Sequence, residues 1–444
     1  MERPNILLIT VDCLRADHLS CYGYHRNTIP LINEYLEDGF TIYKNHLSNG
    51  PGTPDSFPSI MCSRYRMEVP DGNRLPRKWT KISTMLKEHG YRTVGLSSGN
   101  PFVSRLFGYD HGFDVFDDGM DDGPSNIFER DEWGRVRIAV RDVFEVLFDD
   151  IMGRKCDKDL GFANLAIEHL EELTDKKPWF MWVHYMDVHG PYSPAKMVFG
   201  RNRLRFPYYS KLLNKMVLKD THLRIDLRQD LVDMYDSTIS QVDTNISMLL
   251  EHLRSSKAMD NTMIVITADH GEGFEEHGMW SHPYYGVYEE QLRIPLMIKY
   301  PGHTPNTIIH DHERTCAADI LPTLADVVGC YEPPVTRGNS ILRLKDVRNG
   351  HRLIFHEGRH TRYMRPGDEF PAMVRGVTYG NYGMVVESSD GWTNKRMYDM
   401  RVDVKEEKNI VGDAGYITTK DRLSKAISEI ETNEIKTLEM EGLV

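Results

Sequence analysis

An uninterrupted apolar run close to the start of the chain constrains the fold more than any other segment. Residues 5–11 read Asn-Ile-Leu-Leu-Ile-Thr-Val. Apolar and polar residues do not alternate here, as they would in a strand with one solvent-exposed face. Such an uninterrupted run must be covered on both sides, as strands of a parallel sheet are. Similar runs follow at 93–97, 179–185, 263–268 and 296–299. The pattern predicts a large, buried sheet.

Segments with apolar residues at helical spacing lie between these strands, at 82–88, 159–173 and 227–253. Strands that alternate with helices predict an α/β fold, in which helices sandwich a large, mostly parallel sheet. Two segments without strand periodicity, 119–148 and 196–228, are interpreted as surface insertions that shape specificity.

The pattern changes past about residue 345. Short segments at 353–356, 373–377 and 384–387 predict an antiparallel sheet, and 420–440 predicts a terminal helix. We therefore expect a catalytic domain over 1–345 and a small α+β C-terminal subdomain over 346–444.

Composition excludes some classes of protein. The formal net charge of -12 over 444 residues argues against a nucleic-acid-binding surface. No stretch approaches the roughly 20 apolar residues of a membrane-spanning helix. The six cysteines form no C-x-x-C pair, which favours free thiols in a reducing compartment. We predict a cytoplasmic protein without a membrane span, and homo-oligomerisation is left open.

Acidic and histidine side chains follow two of the predicted strands directly. Asp12 follows 5–11, and the pair Asp269 and His270 follows 263–268. In open parallel sheets the carboxyl ends of the strands form the binding site. Carboxylates with an imidazole suit manganese, zinc, magnesium or calcium. The alternative is that both aspartates only cap the helices that follow, but the combination with Gly271 favours one divalent metal ion.

A glycine-rich turn, 50–56, leads into a predicted helix that begins near Thr53. Thr followed by Pro, Asp and Ser is a good helix start, with the Thr hydroxyl as the N-cap. The same hydroxyl, bound to a metal at a helix N-terminus, would be a usable nucleophile. The local sequence leaves both interpretations open.

Four histidines lie in or after the predicted site strands: His184 and His189 near strand 179–185, and His277 and His282 after Asp269. A single histidine is usually a satisfied polar residue. Together, these four predict an anion-binding, proton-donating pocket. We expect all four to contribute to this pocket, with His184 and His277 as substrate-binding residues.

The motifs occur in an order that resembles sulfatases of the alkaline-phosphatase superfamily. The resemblance runs from residue 4 to about 412 and is specific as an ordered set. Its segments are 4–12, 14–17, 21–23, 267–272, 276–278, 288–290, 293–296, 301–302, 319–324 and 397–400.

Departures from the sulfatase pattern bear on the chemistry. Sulfatases carry Cys-x-Pro-Ser-Arg, whose Cys becomes formylglycine, whereas the preferred register puts Thr53 at that position and Phe57 at the Arg. A rival register beginning at Ser56 loses the downstream match. A threonine cannot become formylglycine. The turn is instead similar to that of Thr-nucleophile phosphotransferases such as lipoteichoic-acid synthases.

The resemblance implies roles for individual residues. Cys13 stands where calcium sulfatases have a second Asp, which favours manganese or zinc. The implied ligands are Asp12, Thr53, Asp269 and His270. It also implies that His189 protonates the leaving oxygen, that His282 holds a non-bridging oxygen, and that Asn100 donates a hydrogen bond to the substrate.

The sequence therefore predicts a metal-dependent hydrolase that acts on an anionic ester, either sulfate or phosphate, through a Thr nucleophile. One alternative is a phosphotransferase that acts on a glycan or lipid headgroup. Another is a non-catalytic binding protein, against which the retention of all four candidate ligands argues.

Overall fold

The computed structural model describes residues 3–70, 73–120, 154–174, 178–200, 225–302, 307–330, 335–346, 352–359, 373–389 and 392–440. The strands are β1 (Asn5–Val11), β2 (Phe40–Leu47), β3 (Arg92–Ser97), β4 (Val115–Asp117), β5 (Trp179–Tyr185), β6 (Thr262–Ala268), β7 (Gly273–Phe274), β8 (Trp280–Ser281), β9 (Leu296–Lys299), β10 (Ile308–Cys316), β11 (Leu353–Arg359), β12 (Met373–Tyr379), β13 (Tyr382–Ser389) and β14 (Trp392–Asp399). The α-helices are α1 (Pro30–Leu36), α2 (Thr53–Cys62), α3 (Ile82–Glu88), α4 (Arg154–Thr174), α5 (Ile225–Ser255), α6 (Glu289–Leu292), α7 (Ile320–Val328) and α8 (Ile417–Met440).

The largest sheet of the described chain has eight strands in the order β10-β2-β9-β6-β1-β5-β3-β4. Strands β1, β5, β3 and β4 pair in parallel, whereas β9 is antiparallel to both β6 and β2. The predicted α/β class is confirmed. The antiparallel β9 was not predicted, because a four-residue apolar run carries no signal of its direction.

The chain forms two compact units. The first comprises Met1–Ile42, Leu86–Thr267 and Leu296–Ile309. Every residue of β1 and β5 is buried there, as expected for central strands of a parallel sheet. The Trp182 ring stacks with those of Phe113 and Phe116. A Cβ on Gly95 would lie 2.8 Å from the Phe116 ring, so this aromatic layer requires a glycine on β3.

The second unit comprises Tyr43–Met85, Ala268–Pro295 and His310–Val444. Its antiparallel sheet has the order β11-β12-β13-β14, which confirms the sheet predicted from the C-terminal segments. Helix α8 packs on that sheet and shares a buried cluster with it. The cluster contains Tyr65, Phe355, Val377, Met384, Met397, Ile410, Leu423 and Ile427.

Central strands agree with prediction better than edge strands. The predicted runs at 5–11, 179–185 and 296–299 have the observed bounds. Strands β2 and β10 were missed, because Phe40–Leu47 and Ile308–Cys316 mix polar with apolar residues. Strand β10 lies at the edge of the large sheet, where burial on both faces is not required.

The two predicted insertions lie largely outside the described residues. The insertion at 119–148 lies outside the described residues apart from 119–120, and so does most of 196–228, whose last residues begin helix α5. The boundary near residue 345 and the cytoplasmic location stay predictions. None of the helices in the described ranges is both long and apolar enough to cross a bilayer. Five cysteines are present as thiols: Cys13, Cys21, Cys62, Cys316 and Cys330.

Candidate active site

The turn before helix α2 presents Thr53. Gly52 has an extended backbone and is the N-cap, while Thr53 is the first helical residue and Pro54 the second. The expectation that the Thr53 hydroxyl caps the helix is therefore wrong. The hydroxyl instead donates to Asp269 Oδ2 at 2.9 Å and lies 3.4 Å from His270 Nε2.

Close packing fixes the shape of this turn. A Cβ on Gly50 would lie 2.4 Å from Asp55 Cβ and 2.7 Å from the Asp55 carbonyl carbon. A Cβ on Gly52 would meet nothing closer than 3.6 Å. The turn thus requires glycine at position 50, whereas position 52 has room for a Cβ. Burial raises the pKa of Asp55 to about 8, against the opposing charge of Arg66.

The pair that follows β6 is oriented by its own backbone. His270 Nδ1 lies 2.8 Å from the Gly271 carbonyl, so Nδ1 donates and Nε2 keeps its lone pair. Asp269 Oδ1 accepts from the His270 amide at 2.8 Å, which directs Oδ2 toward Thr53. The three side chains are nearly or wholly buried.

Thr53, Asp269 and His270 fit a metal ion. Asp269 Oδ2 and His270 Nε2 are 3.4 Å apart, so the three donor atoms are separated by 2.9 to 3.4 Å. Tetrahedral ligands at about 2.1 Å from zinc lie roughly 3.4 Å from one another. A hydrogen bond from the second imidazole nitrogen to a carbonyl is also typical of metal-binding histidine.

Asp12 belongs to a second buried cluster, in the first unit. Asn100 Nδ2 donates to Asp12 Oδ2 at 2.7 Å, and the Asn100 Oδ1 accepts from the Phe102 amide at the start of a short 3-10 helix. The Cys13 thiol lies 3.0 Å from Asp12 Oδ1. Cys13 has a φ of 61°, the left-handed conformation that turns the chain away from β1.

His184 supports Asp12 from strand β5. Its Nδ1 lies 2.9 Å from Thr10 Oγ1, which also accepts from Trp182 Nε1 at 3.0 Å. Its Nε2 lies 3.5 Å from Asp12 Oδ2. His184 is fully buried. The structure thus brings His184, Asn100 and Asp12 together, and substrate binding by His184 and Asn100 stays a prediction.

His189 lies in the loop after β5. Its Nδ1 is 2.5 Å from the Gly190 carbonyl, so Nε2 is the nitrogen that can exchange a proton. Asp12, Cys13 and His189 each place one potential ligand atom within 4.8 Å of the others. His189 therefore belongs to the Asp12 cluster.

His282 is oriented by a two-stranded hairpin. Strands β7 and β8 pair Gly273 with Ser281, and Glu272 Oε1 lies 3.1 Å from His282 Nδ1. Glu272 is fully buried, whereas the His282 side chain is 22% exposed. The His282 ring centre is 4.6 Å from that of His270. His282 thus joins the Thr53 cluster.

His277 lies in the same hairpin with different partners. Its Nδ1 is 2.7 Å from Glu290 Oε1, and its ring stacks on Tyr288 at 3.8 Å. Burial lowers the pKa of His277, but the hydrogen bond and charge of Glu290 outweigh burial and leave the pKa raised. These contacts anchor the hairpin, and substrate binding by His277 stays a prediction.

Some residues in these clusters were not assigned from sequence. Glu272 orients His282, Thr10 orients His184, and Ser48 donates to the Asp269 carbonyl. Glu272 lies inside a recognised motif and could have been singled out there. Nothing in the sequence near Ser48 indicates its contact with a residue more than 200 positions away.

Comparison with known proteins identifies the family of this chain. A family model described as Sulfatase matches residues 4–330. The chain belongs to the sulfatase family. A second model, described as N-sulphoglucosamine sulphohydrolase, C-terminal, matches residues 275–433 of this sulfatase.

Two relatives come from Bacteroides thetaiotaomicron. The sulfatase is similar to a Delta 4,5-hexuronate-2-O-sulfatase, with 32% identity over 94% of this chain and 86% of the relative. It is also similar to an N-acetylglucosamine-6-O-sulfatase, with 22% identity over 97% and 86% of the two chains.

Solved structures agree on the fold. A phosphonate monoester hydrolase of Agrobacterium radiobacter has a TM-score of 0.71 and 19% identity over 97% of this chain and 96% of its own. A structure in complex with its substrate D-glucosamine-2-N,6-O-disulfate has a TM-score of 0.71 and 20% identity over 98% and 99%. The family relationship makes this sulfatase an ester hydrolase.

Proposed function

We propose that this sulfatase is a metal-dependent hydrolase that cleaves a sulfate or phosphate ester with Thr53 as the nucleophile. The contact between the Thr53 hydroxyl and the buried Asp269 and His270 supports this assignment most strongly. Thr53 is the first residue of its helix and not the N-cap, and its hydroxyl donates to Asp269.

Thr53, Asp269, His270 and Asp12 would hold the ion, with manganese or zinc favoured by the donor set. Asp12 is included because it follows β1, the neighbour of β6 in the sheet, and because the family resemblance implies it. A bound divalent cation would lower the pKa of the hydroxyl and withdraw charge from the ester oxygens.

Each proton has an acceptor or a donor. The Thr53 hydroxyl proton passes to water, because Asp269 Oδ2 would be bound to the ion, while Oγ1 forms a bond to sulfur or phosphorus and the bond to the leaving oxygen breaks. Protonated His189 gives its Nε2 proton to that oxygen. His282, oriented by Glu272, donates to a non-bridging oxygen, and Asn100 adds a further hydrogen bond.

The second half reaction restores the enzyme. His189 takes a proton from water, whose oxygen attacks sulfur or phosphorus. The bond to Thr53 Oγ1 breaks, and water returns the proton to that oxygen. Sulfate or phosphate is released, and no redox partner is required.

The relative with 32% identity is named for a sulfated hexuronate. A 2-O-sulfated unsaturated uronate is therefore the first natural substrate to test, beside 4-nitrophenyl sulfate and 4-nitrophenyl phosphate.

Substitution of Thr53 tests the nucleophile. Thr53→Val keeps the shape of the side chain and removes the oxygen, whereas Thr53→Ser keeps the hydroxyl. With manganese or zinc present, we expect Thr53→Val to lower kcat by on the order of 10³-fold or more, and Thr53→Ser to retain measurable turnover. Metal-dependent turnover by Thr53→Val equal to that of the wild type would refute the assignment.

A further inference from the structure

Ser48 lies between strand β2 and the Thr53 turn, and its side chain is fully buried. Its Oγ is 2.6 Å from the Asp269 carbonyl and 2.7 Å from the Gly50 carbonyl, and it accepts from the Gly50 amide at 3.2 Å. A hydroxyl has one hydrogen, so Ser48 donates to one carbonyl at a time. This single oxygen nevertheless links the turn that carries Thr53 to the peptide that carries Asp269.

Other hydrogen bonds hold the backbone of Ser48. Its amide donates to the Leu292 carbonyl at 2.7 Å, and its carbonyl accepts from His356 Nδ1 at 2.7 Å. These two hydrogen bonds hold the backbone of Ser48 in place and so fix the position of its hydroxyl. Its position depends on strand β11, which contains His356, and not only on the local turn.

The neighbouring Asn49 fixes the same segment to strand β11 again and to one further element, the short 3-10 helix Ala317–Asp319. Its Nδ2 donates to the Phe355 carbonyl at 2.8 Å, and its Oδ1 accepts from the Ala318 amide at 3.0 Å. The Asn49 carbonyl accepts from the Glu357 amide at 2.9 Å. The segment before Thr53 is thus hydrogen-bonded to strand β11 from both its backbone and its side chain.

The orientation of the peptide between Asp269 and His270 determines where both side chains lie. Its carbonyl accepts from Ser48, and its amide donates to Asp269 Oδ1. Rotation of this peptide would move the Asp269 carboxylate and the His270 imidazole relative to Thr53 Oγ1. The Ser48 hydrogen bond opposes that rotation.

We propose that Ser48 is a positioning residue, which sets the spacing of Thr53 from Asp269 and His270 without touching the substrate. This inference rests on the function proposed above. It means that the distances between Thr53, Asp269 and His270 depend on residues 48–49, which are hydrogen-bonded to strand β11.

The test compares Ser48→Ala with Ser59→Ala. Ser59 is an equally buried serine on helix α2, and its hydroxyl donates to the Arg64 carbonyl at 2.8 Å, away from Asp269. Mn²⁺ affinity is measured by calorimetry on metal-stripped protein, and kcat and KM on 4-nitrophenyl sulfate and 4-nitrophenyl phosphate at saturating Mn²⁺. Circular dichroism and Tm report on folding.

We expect Ser48→Ala to weaken Mn²⁺ binding by about 10- to 100-fold and to lower kcat more than it changes KM. Ser59→Ala should lose comparable stability and keep the Mn²⁺ affinity of the wild type. Ser48→Cys, which has a similar volume and a weak S–H donor, provides the same comparison if the alanine variant does not fold.

Wild-type Mn²⁺ affinity and kcat in the Ser48 variant would overturn the inference and leave the function of Thr53 standing. If the wild type binds no Mn²⁺ and Thr53→Val is as active as the wild type, both this inference and the proposed function are overturned. The two failures are therefore distinguishable.

Discussion

At the residue scale, buried histidines lie next to the segment that precedes Thr53. His356 donates from Nδ1 to the Ser48 carbonyl and its Nε2 lies 3.0 Å from the Thr378 hydroxyl. Burial lowers the pKa of His356 to about 4, although the Ser48 carbonyl acts in the opposite direction. Burial also lowers the pKa of His46 to about 3. The folded protein keeps both rings neutral where the unfolded chain would protonate them.

The depressed pKa of His356 predicts that its own contribution to stability is lost in mild acid, whereas the raised pKa of Asp55 acts in the opposite direction. His356 binds a proton near pH 6.5 when unfolded and only near pH 4 when folded, so its contribution is present above pH 6.5 and is lost as pH falls toward 4. The loss amounts to about 2–3 kcal/mol at pH 4.5. Urea unfolding at pH 7.0, 5.5 and 4.5 measures it.

His356→Gln should remove this contribution, because glutamine does not titrate, so that the wild type loses more stability than the variant between pH 7.0 and 4.5. Substitution of the exposed His25 with Gln serves as the control and should leave the pH dependence unchanged. Equal pH dependence in the wild type and His356→Gln would show that His356 is not the titrating group.

At the scale of elements, the turn into helix α2 is specified by close packing. Gly50 has no room for a Cβ, whereas Gly52 does. Gly50→Ala should force the turn away from Asp55, lower the free energy of unfolding by about 1–3 kcal/mol, and reduce kcat by about 10²-fold through displacement of Thr53.

Gly52→Ala is the matched control in the same turn and should retain near-normal Tm and kcat. Tm and kcat on 4-nitrophenyl sulfate or 4-nitrophenyl phosphate measure the two effects. A Gly50→Ala variant as active as Gly52→Ala would contradict the role given to this turn.

The elements also show what the sequence can predict. Asp12 and the Asp269–His270 pair were predicted as site residues because each follows a strand with a long apolar run, and the structure places each directly after that strand. The direction of the Thr53 hydroxyl was not predicted, because it depends on a contact with Asp269 rather than on the local helix-start signal. Edge strand β10 was missed for a related reason: its sequence lacks a continuous apolar run.

The partners of His282 illustrate the same limit. The pairing of β7 with β8 brings Glu272 to His282. Two-residue strands carry no periodicity that could predict such a register. The sequence therefore indicates the candidate site residues that follow long strands, while the residues that orient them depend on the three-dimensional fold.

At the scale of the whole molecule, a bound metal should stabilise the fold. An ion that binds only the folded state, at about 100 times its Kd, adds about 2.7 kcal/mol to the free energy of unfolding. We expect Mn²⁺ or Zn²⁺ to raise the Tm of metal-stripped protein by several degrees. Thermal unfolding with and without EDTA measures this rise.

Asp269→Asn keeps the shape of the side chain but removes its charge, so the rise in Tm should disappear in this variant. Asp326→Asn is a control carboxylate on helix α7, paired with Arg343, and should behave as the wild type does. A full rise in Tm for Asp269→Asn would place the stabilising ion elsewhere.

A crystal structure of the Mn²⁺-loaded enzyme, with anomalous data collected at the manganese edge, tests the central proposal most directly. The account predicts one strong anomalous peak within about 2.0–2.3 Å of Asp12, Thr53, Asp269 and His270. An ion bound away from Thr53 and Asp269, or no peak while those four side chains stand apart, would contradict it.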